Sequence, residues 1–274
     1  MNSDVLQHIS DAWDVEGYQK VNANQVKSGL AAVSLVGDIA VPGSRFADIG
    51  CGAGEVAAEA ARRGLRVRAI DGSASMVDRC RHICSGLDVE VSQQDANVLD
   101  LGREVFDVVH SSWVLHWLHD IAHAVSTMAD AVAPGGVLVL QWSRAFPLAE
   151  GTGLVGVFQD LAASPEWRER FEHLPIVSYQ YPVEMIADLV RAAGLDVTHV
   201  DTELWPKVPV VRNPPPELVA AVVENLRHTG FGRHADELGE MDLAIFLEQG
   251  VRRAIDLDLT DPRDARLIAS RPLS

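Results

Sequence analysis

Residues 46–54 read Phe46-Ala47-Asp48-Ile49-Gly50-Cys51-Gly52-Ala53-Gly54, and residues 65–71 read Leu65-Arg66-Val67-Arg68-Ala69-Ile70-Asp71. A short apolar run ends in glycines at alternate positions, a helix-like run follows, and a second strand closes on an acid. This pattern predicts one βαβ unit with a nucleotide-sized crevice at its strand ends. Glycines there let the backbone approach a ligand closely, and the acid can accept hydrogens from both ribose hydroxyls.

Spacing narrows the choice of nucleotide. The dinucleotide fingerprint is G-x-G-x-x-G; here the third glycine, Gly54, comes one residue early and Asp48 precedes the first. Farther on, Asp71 ends the second strand, Gln94-Asp95-Ala96 follows the third, and Ala133-Pro134-Gly135-Gly136 precedes the apolar run Val137 to Leu140. In this order the four pieces resemble the class I S-adenosylmethionine (SAM) methyltransferases. The resemblance implies an α/β, Rossmann-like fold with a seven-stranded, mostly parallel sheet, a helical lid and SAM as cofactor. It implies that Asp48, Gly50 and Gly52 shape the cofactor loop and that Asp71 and Gly72 hold the ribose. Asp95 and Ala96 would meet the adenine, and Met76 and Ser111 would line the same crevice. A nicotinamide enzyme and a ligand-free doubly wound domain are the alternatives.

The composition sets limits on this reading. A chain of 274 residues with 47% apolar content is long enough for one sizeable core. The net charge of −16 disfavours nucleic acid and anionic membranes, which reward clustered Lys and Arg. The three cysteines, Cys51, Cys80 and Cys84, and the lack of a basic-then-apolar amino terminus lead us to expect a reducing cytoplasm. Cys80 and Cys84 sit one helical turn apart, but no second pair completes a zinc site. No apolar run approaches the ~20 residues that span a bilayer. The expected partner is a small-molecule acceptor, with a homodimer left open.

Along the chain, residues 1–144 read as amino-terminal helices followed by the SAM-binding core, with strands near 45–49, 66–71, 87–92, 105–111 and 137–142. Ser73 has the character of a helix cap. Two irregular stretches, 145–182 and 205–262, interrupt the alternation of strand and helix, separated by a core helix and strand over 183–204 and followed by a last strand within 263–274. Both follow strand ends on the ligand side of such sheets and are expected to form one lid over the acceptor. The alternative is that they only thicken the fold.

The fourth strand ends in His110-Ser111-Ser112-Trp113-Val114-Leu115-His116-Trp117-Leu118. Trp113 and Trp117 are expected to line the acceptor pocket; core packing of two aromatics four residues apart is the bland alternative. His116, His119 and His123 could share one helix face beside Asp120, the donor types of a metal site; the apolar Trp117 and Leu118 between them argue against it, and no metal is expected. Near the amino terminus, Tyr18, Asn22 and Gln25 fall at i, i+4 and i+7, which on a single helix is one face.

The Y-x-x-x-N-x-x-Q and S-x-x-L-H-W pieces are similar to the insect juvenile hormone acid methyltransferases and the plant SABATH carboxyl methyltransferases. That resemblance implies that Gln25 and Trp117 hold a substrate carboxylate and that Tyr18 covers the methionyl end of the cofactor. The chain departs from the plant pattern in its shorter lid and in lacking a basic residue ahead of Tyr18. A carboxylate is ionised at neutral pH, with a reference pKa of about 4, and requires no base. His116 is the reserve base for any other acceptor. The expected function is therefore carboxyl O-methylation of a small, largely apolar acid. One alternative is a C- or N-methyltransferase of a small metabolite such as a prenyl diphosphate, with Arg144, Arg168, Arg170 and Arg212 on its phosphates. A non-catalytic SAM-fold scaffold is the other.

Overall fold

The computed structural model describes residues 15–143, 154–202, 204, 214–232, 234–257 and 264–273. The side chain of Tyr18, together with Arg144 and Arg212, lies outside the described part. Seven strands, β1 (Arg45–Ile49), β2 (Arg66–Asp71), β3 (Val89–Gln93), β4 (Phe106–Ser112), β5 (Val132–Ser143), β6 (Asp196–Asp201) and β7 (Asp264–Ser270), form one sheet in the order β3-β2-β1-β4-β5-β7-β6. The first five are parallel, and β7 runs antiparallel between β5 and β6. This is the Rossmann-like, mostly parallel seven-stranded sheet expected from the sequence.

Helices α1 (Val15–Val21), α2 (Ala23–Leu35), α3 (Glu55–Arg62), α4 (Ala74–Ile83), α5 (Ile121–Asp130) and α8 (Val183–Ala192) surround the sheet. The insertions supply α6 (Leu154–Ala162), α7 (Arg168–Phe171), α9 (Pro216–Thr229), α10 (His234–Leu238) and α11 (Glu240–Asp256). Strand side chains alternate between faces. Ala47, Ile49, Val109, Leu138 and Leu140 pack toward α5 and α8. Phe46, Val67, Ala69, Val108 and Val139 pack toward α2 and α3. Because both faces are covered, the central strands are apolar almost throughout.

Helix α2 lies on the second face. A Cβ on Gly29 would stand 3.9 Å from both His110 Cε1 and Ser112 Oγ. At the other end of the helix, Val33 shares a core with Phe46, and Ser34 Oγ accepts from Arg63 Nη1 at 3.2 Å, beside the start of β2. Helix α2 thus runs opposite to the strands, with Gln25 at the end where the strands finish.

Three local expectations are corrected. Tyr18 and Gln25 do not share a helix face: the chain breaks at Asn22 (φ −82°, ψ 1°), which ends one helix and starts the next. Asn22 itself is buried, at 4% exposure. Strand β5 begins five residues before Val137. Val132 pairs with Phe106, and Ala133-Pro134-Gly135-Gly136 bulges out before pairing resumes at Val137 opposite Val108, because Pro134 has no N–H for the ladder. His116 occupies a short 3₁₀ turn, Leu115–Trp117, while α5 starts only at Ile121, so the three histidines share no helix face.

The described helices of the two insertions pack on one another. Phe158, Trp167 and Phe171 from the first meet Phe231, Leu243, Phe246 and Leu247 from the second in a core separate from those of the sheet. Trp167 Nε1 donates to Gln249 Oε1 at 2.8 Å, and Arg170 pairs with Asp242 at 3.4 Å while stacking on Trp167. Arg170 is therefore engaged within the cap, and Arg168 is exposed on the same short helix. The first insertion returns to the sheet beside the 3₁₀ turn: Tyr179 N–H donates to His116 O at 2.8 Å and Tyr181 Oη to Leu118 O at 2.5 Å.

Candidate active site

The glycine loop is drawn onto the end of β2, since the N–H groups of Gly50 and Cys51 both donate to Ile70 O, at 2.7 and 2.9 Å. Asp71 then ties the two strand ends together. Its Oδ2 accepts from Gly52 N–H at 2.8 Å and its Oδ1 from Ser73 N–H at 2.9 Å. Burial raises the Asp71 pKa, against the opposing pull of these two N–H groups. Ser73 also caps α4, accepting from Met76 N–H at 3.4 Å, and Met76 is buried beneath. The Gly72 carbonyl accepts from Gln93 Nε2 at 3.0 Å.

The far wall of the crevice is held by the end of β3. Asp95 Oδ1 accepts from the Asn97 backbone at 2.8 Å and from Asn97 Nδ2 at 2.9 Å, and Ala96 lies between them half-buried. Asn97 Oδ1 in turn accepts from His119 N–H at 3.0 Å, linking this wall to the turn after β4. Ser111 is fully buried with its hydroxyl donated to Ile49 O at 3.0 Å, so it serves as a tie between β4 and β1. Gln19 fastens α1 across the loop, donating to Glu55 Oε1 at 3.0 Å and accepting from Arg79 Nε at 3.1 Å.

The turn after β4 is strained. Trp113 has φ +65°, a left-handed conformation seldom taken by a bulky residue, and its N–H donates to Gln141 O at 2.8 Å. Such strain persists where neighbouring structure over-determines it, often at functional sites. Trp117 and His116 follow in the 3₁₀ turn with ring centroids 4.9 Å apart. Burial pushes the His116 pKa down to about 4, and its Nδ1 is buried without a partner among the described residues.

Several features fit a bound SAM. A Cβ on Gly52 would meet nothing within 4 Å, which leaves open space above the loop for a ligand. Asp71 stands at the end of β2 with both oxygens oriented by backbone donors. Asp48 Oδ2 and Gln25 Oε1 are buried acceptors with no partner among the described residues. Asp71 would hold the ribose, Asp95 and Ala96 the adenine, and Asp48 and Gln25 are acceptors suited to the methionyl ammonium.

Among the described residues no group of three His, Cys, Asp or Glu could hold a metal. Cys80 Sγ lies 3.8 Å from Cys51 and 3.9 Å from Cys84, all three buried, and burial pushes Cys84 up to about 12. A shallow groove of about 440 Å³ beside Ile39, Pro42, Asp107 and Gly136 lies at the opposite, amino-terminal edge of the strands, remote from these groups. Among the described residues no helix is long and apolar enough to cross a membrane.

Sequence reasoning missed Gln19, Asn97 and the bonding among polar residues inside the central strands: Gln141 and Arg266 were not singled out, Ser112 and His110 were given no role, and Asp48 was assigned only to the cofactor loop. Their signal was the interruption of otherwise apolar strands, since a polar side chain buried there requires a partner.

A family model described as a methyltransferase domain matches residues 47–140. The chain is 32% identical over 198 residues to the ubiquinone biosynthesis O-methyltransferase of Xanthomonas campestris pv. campestris, covering 70% of this chain and 79% of that protein. Two solved structures share the fold. Haemonchus contortus phosphoethanolamine N-methyltransferase 2, in complex with SAM, has a TM-score of 0.63 at 18% identity over 94% of this chain and 56% of that one. The [4+2]-cyclase SpnF has a TM-score of 0.60 at 20% identity, over 89% and 82% of the two chains. These relatives do not support the narrower resemblance to the juvenile hormone acid and SABATH enzymes; the two motifs behind it are short, and the chain break at Asn22 divides one of them. The matching methyltransferase domain and the Xanthomonas relative, on a chain whose glycine loop and acid at the end of β2 were read from the sequence, show that the chain belongs to the class I SAM-dependent methyltransferases.

Proposed function

We propose that this enzyme transfers the methyl group of SAM to an oxygen of a small, largely apolar acceptor. The observation that carries this reading is the tryptophan-bearing turn at the end of β4, onto which the segment returning from the aromatic cap is bonded through Tyr179 and Tyr181. The O-methyltransferase activity of the Xanthomonas relative supports oxygen as the acceptor atom. When bound, SAM supplies an activated methyl group on a sulfonium. The protein's part is to align the acceptor and exclude water. Trp113, Trp117 and the cap would provide the dry wall. His116, with its pKa pushed down to about 4, stays uncharged at neutral pH and adds no repulsion toward a sulfonium. So weak a base is poorly suited to take the acceptor's proton.

Asp71→Ala tests the cofactor half of this reading. The substitution removes a two-oxygen acceptor, and SAM affinity should fall by about 1.5–3 kcal/mol, roughly ten- to two-hundred-fold. Calorimetric titration with S-adenosylhomocysteine checks it; unchanged affinity would put the ribose elsewhere.

A carboxylate acceptor held by Gln25 and Trp117 is the second reading, favoured by the placement of the first turn of α2 at the carboxyl ends of the strands, which brings Gln25 to the same end of the sheet as Trp117. Transfer of a labelled methyl group followed by mild base separates the two. Label released as methanol marks an ester, and label retained on oxygen marks an ether.

A further inference from the structure

Four bonds on the α2 face of the sheet share one direction. Arg266 Nε donates to Gln141 Oε1 at 2.6 Å, and Gln141 Nε2 donates to Ser112 Oγ at 3.0 Å. Ser112 Oγ lies 2.7 Å from His110 Nε2, and His110 Nδ1 lies 2.8 Å from Asp48 Oδ1. A guanidinium only donates, so Arg266 turns the Gln141 oxygen toward itself and the amide Nε2 toward Ser112 Oγ, while the Asp48 carboxylate accepts from His110 Nδ1–H. With a neutral imidazole, which a proton relay requires, the bare Nε2 accepts the hydroxyl proton of Ser112. Asp48, His110, Gln141 and Arg266 are each buried to 8% exposure or less, whereas Ser112, at the carboxyl end of β4, is only half-buried. One lone pair of Ser112 Oγ receives Gln141, and the other has no donor among the described residues.

We propose that Ser112, His110 and Asp48 form a proton relay that deprotonates a weakly acidic hydroxyl of the acceptor during methyl transfer. The proposal rests on the O-methyl reading above and selects the hydroxyl over the carboxylate. The acceptor O–H donates to the open lone pair of Ser112. As the acceptor oxygen bonds to the methyl carbon, the C–S bond breaks with its electron pair staying on sulfur. The acceptor's proton passes to Ser112 Oγ, and the proton already on Ser112 passes to His110 Nε2. Asp48 stabilises the resulting imidazolium, and Arg266 and Gln141 position Ser112. An imidazole base suits a hydroxyl with a pKa near the ~10 of a phenol far better than an aliphatic alcohol. The surroundings of His110 are Asp48 from β1, Phe46 stacked at 5.8 Å, Gly29 from α2, and Ser112 with Gln141 beyond it. The charges in the bonded chain are those of Asp48 and Arg266.

The test pairs 4-alkylphenols with 4-alkylbenzoic acids of equal chain length. The wild-type enzyme should methylate the phenols, and Ser112→Ala should lower that kcat about 10²–10⁴-fold at pH 7. Its affinity for S-adenosylhomocysteine should stay within twofold. The lost rate should return as pH rises toward 10, where the phenol ionises unaided. Ser112→Thr, which keeps the hydroxyl, should stay within tenfold of wild type. In the cofactor-free protein, ¹⁵N resonances of His110 should show the proton on Nδ1, with an Nε2 signal that moves in Ser112→Ala. An unchanged phenol rate in Ser112→Ala, a loss that high pH does not restore, or a proton on Nε2 overturns the relay. Turnover of the benzoic acids alone overturns it and leaves O-methyl transfer standing. Methylation of neither series overturns both.

Discussion

Phe246→Ala is expected to unfold the cap while leaving the sheet intact. Phe246 is fully buried, and its ring lies 4.4 Å from that of Phe171, 5.1 Å from Trp167 and 5.8 Å from Phe158. Those three rings come from the first insertion and Phe246 from the second, so one side chain joins the two. Deleting a buried phenyl ring costs about 3–5 kcal/mol, from lost transfer free energy plus the cavity left behind. Because the cap has its own core, the loss should fall on α6, α7 and α9 to α11 rather than on the whole molecule. Amide exchange there should accelerate about 10²- to 4 × 10³-fold, with exchange in β1 to β5 and affinity for S-adenosylhomocysteine unchanged. A uniform acceleration across sheet and cap would show that they unfold as one unit.

Gly50→Ala should damage both the fold and the cofactor loop. A Cβ at Gly50 would sit 2.0 Å from Val114 Cγ2, and Gly50 holds φ +71°. The left-handed conformation costs about 1–2 kcal/mol for a residue with a Cβ, and overpacking about 1–3 kcal/mol more. The clash pushes on Val114, from which the turn carrying His116 and Trp117 starts. Gly52→Ala is the informative control. Its Cβ meets nothing within 4 Å, so the fold should lose only the conformational term while the methyl group enters the crevice. Thermal unfolding should therefore rank Gly50→Ala well below Gly52→Ala, while both weaken binding of S-adenosylhomocysteine. Equal stability of the two variants would mean that Val114 moves aside freely.

The crevice and the strands that build it were legible in the sequence because their signals are local. The alternate glycines from Gly50 to Gly54 and Asp71 at the end of β2 stand within 22 residues of one another, and each strand is marked by its own apolar run. Ser73 followed by helix-forming residues was read as a cap, and its hydroxyl accepts from Met76 N–H. The parallel order of the first five strands follows from alternating strands and helices, since right-handed crossovers permit few arrangements. What the sequence by itself determined is thus a SAM-binding sheet with its ligand end defined.

The rest depended on contacts between residues far apart in the chain. Asp48 and His110 are 62 residues apart, and Arg266 and Gln141 are 125 apart. In the sequence His110, Gln141 and Arg266 are only polar residues inside apolar strands, and Asp48 only the acid ahead of the glycine loop. Which polar residues meet is decided by strand register: Asp48 stands opposite His110, Ser112 opposite Gln141, and Gln141 opposite Arg266. The helical spacing of Tyr18, Asn22 and Gln25 held only if the helix continued, and Asn22 interrupts it. The cap's two halves lie on either side of α8 and β6 in the chain, and neither can bury its aromatic rings alone. Only the tertiary structure decided these features, because a buried polar chain and a shared aromatic core are properties of partners brought together by the sheet, for which no local stretch of residues carries a signature.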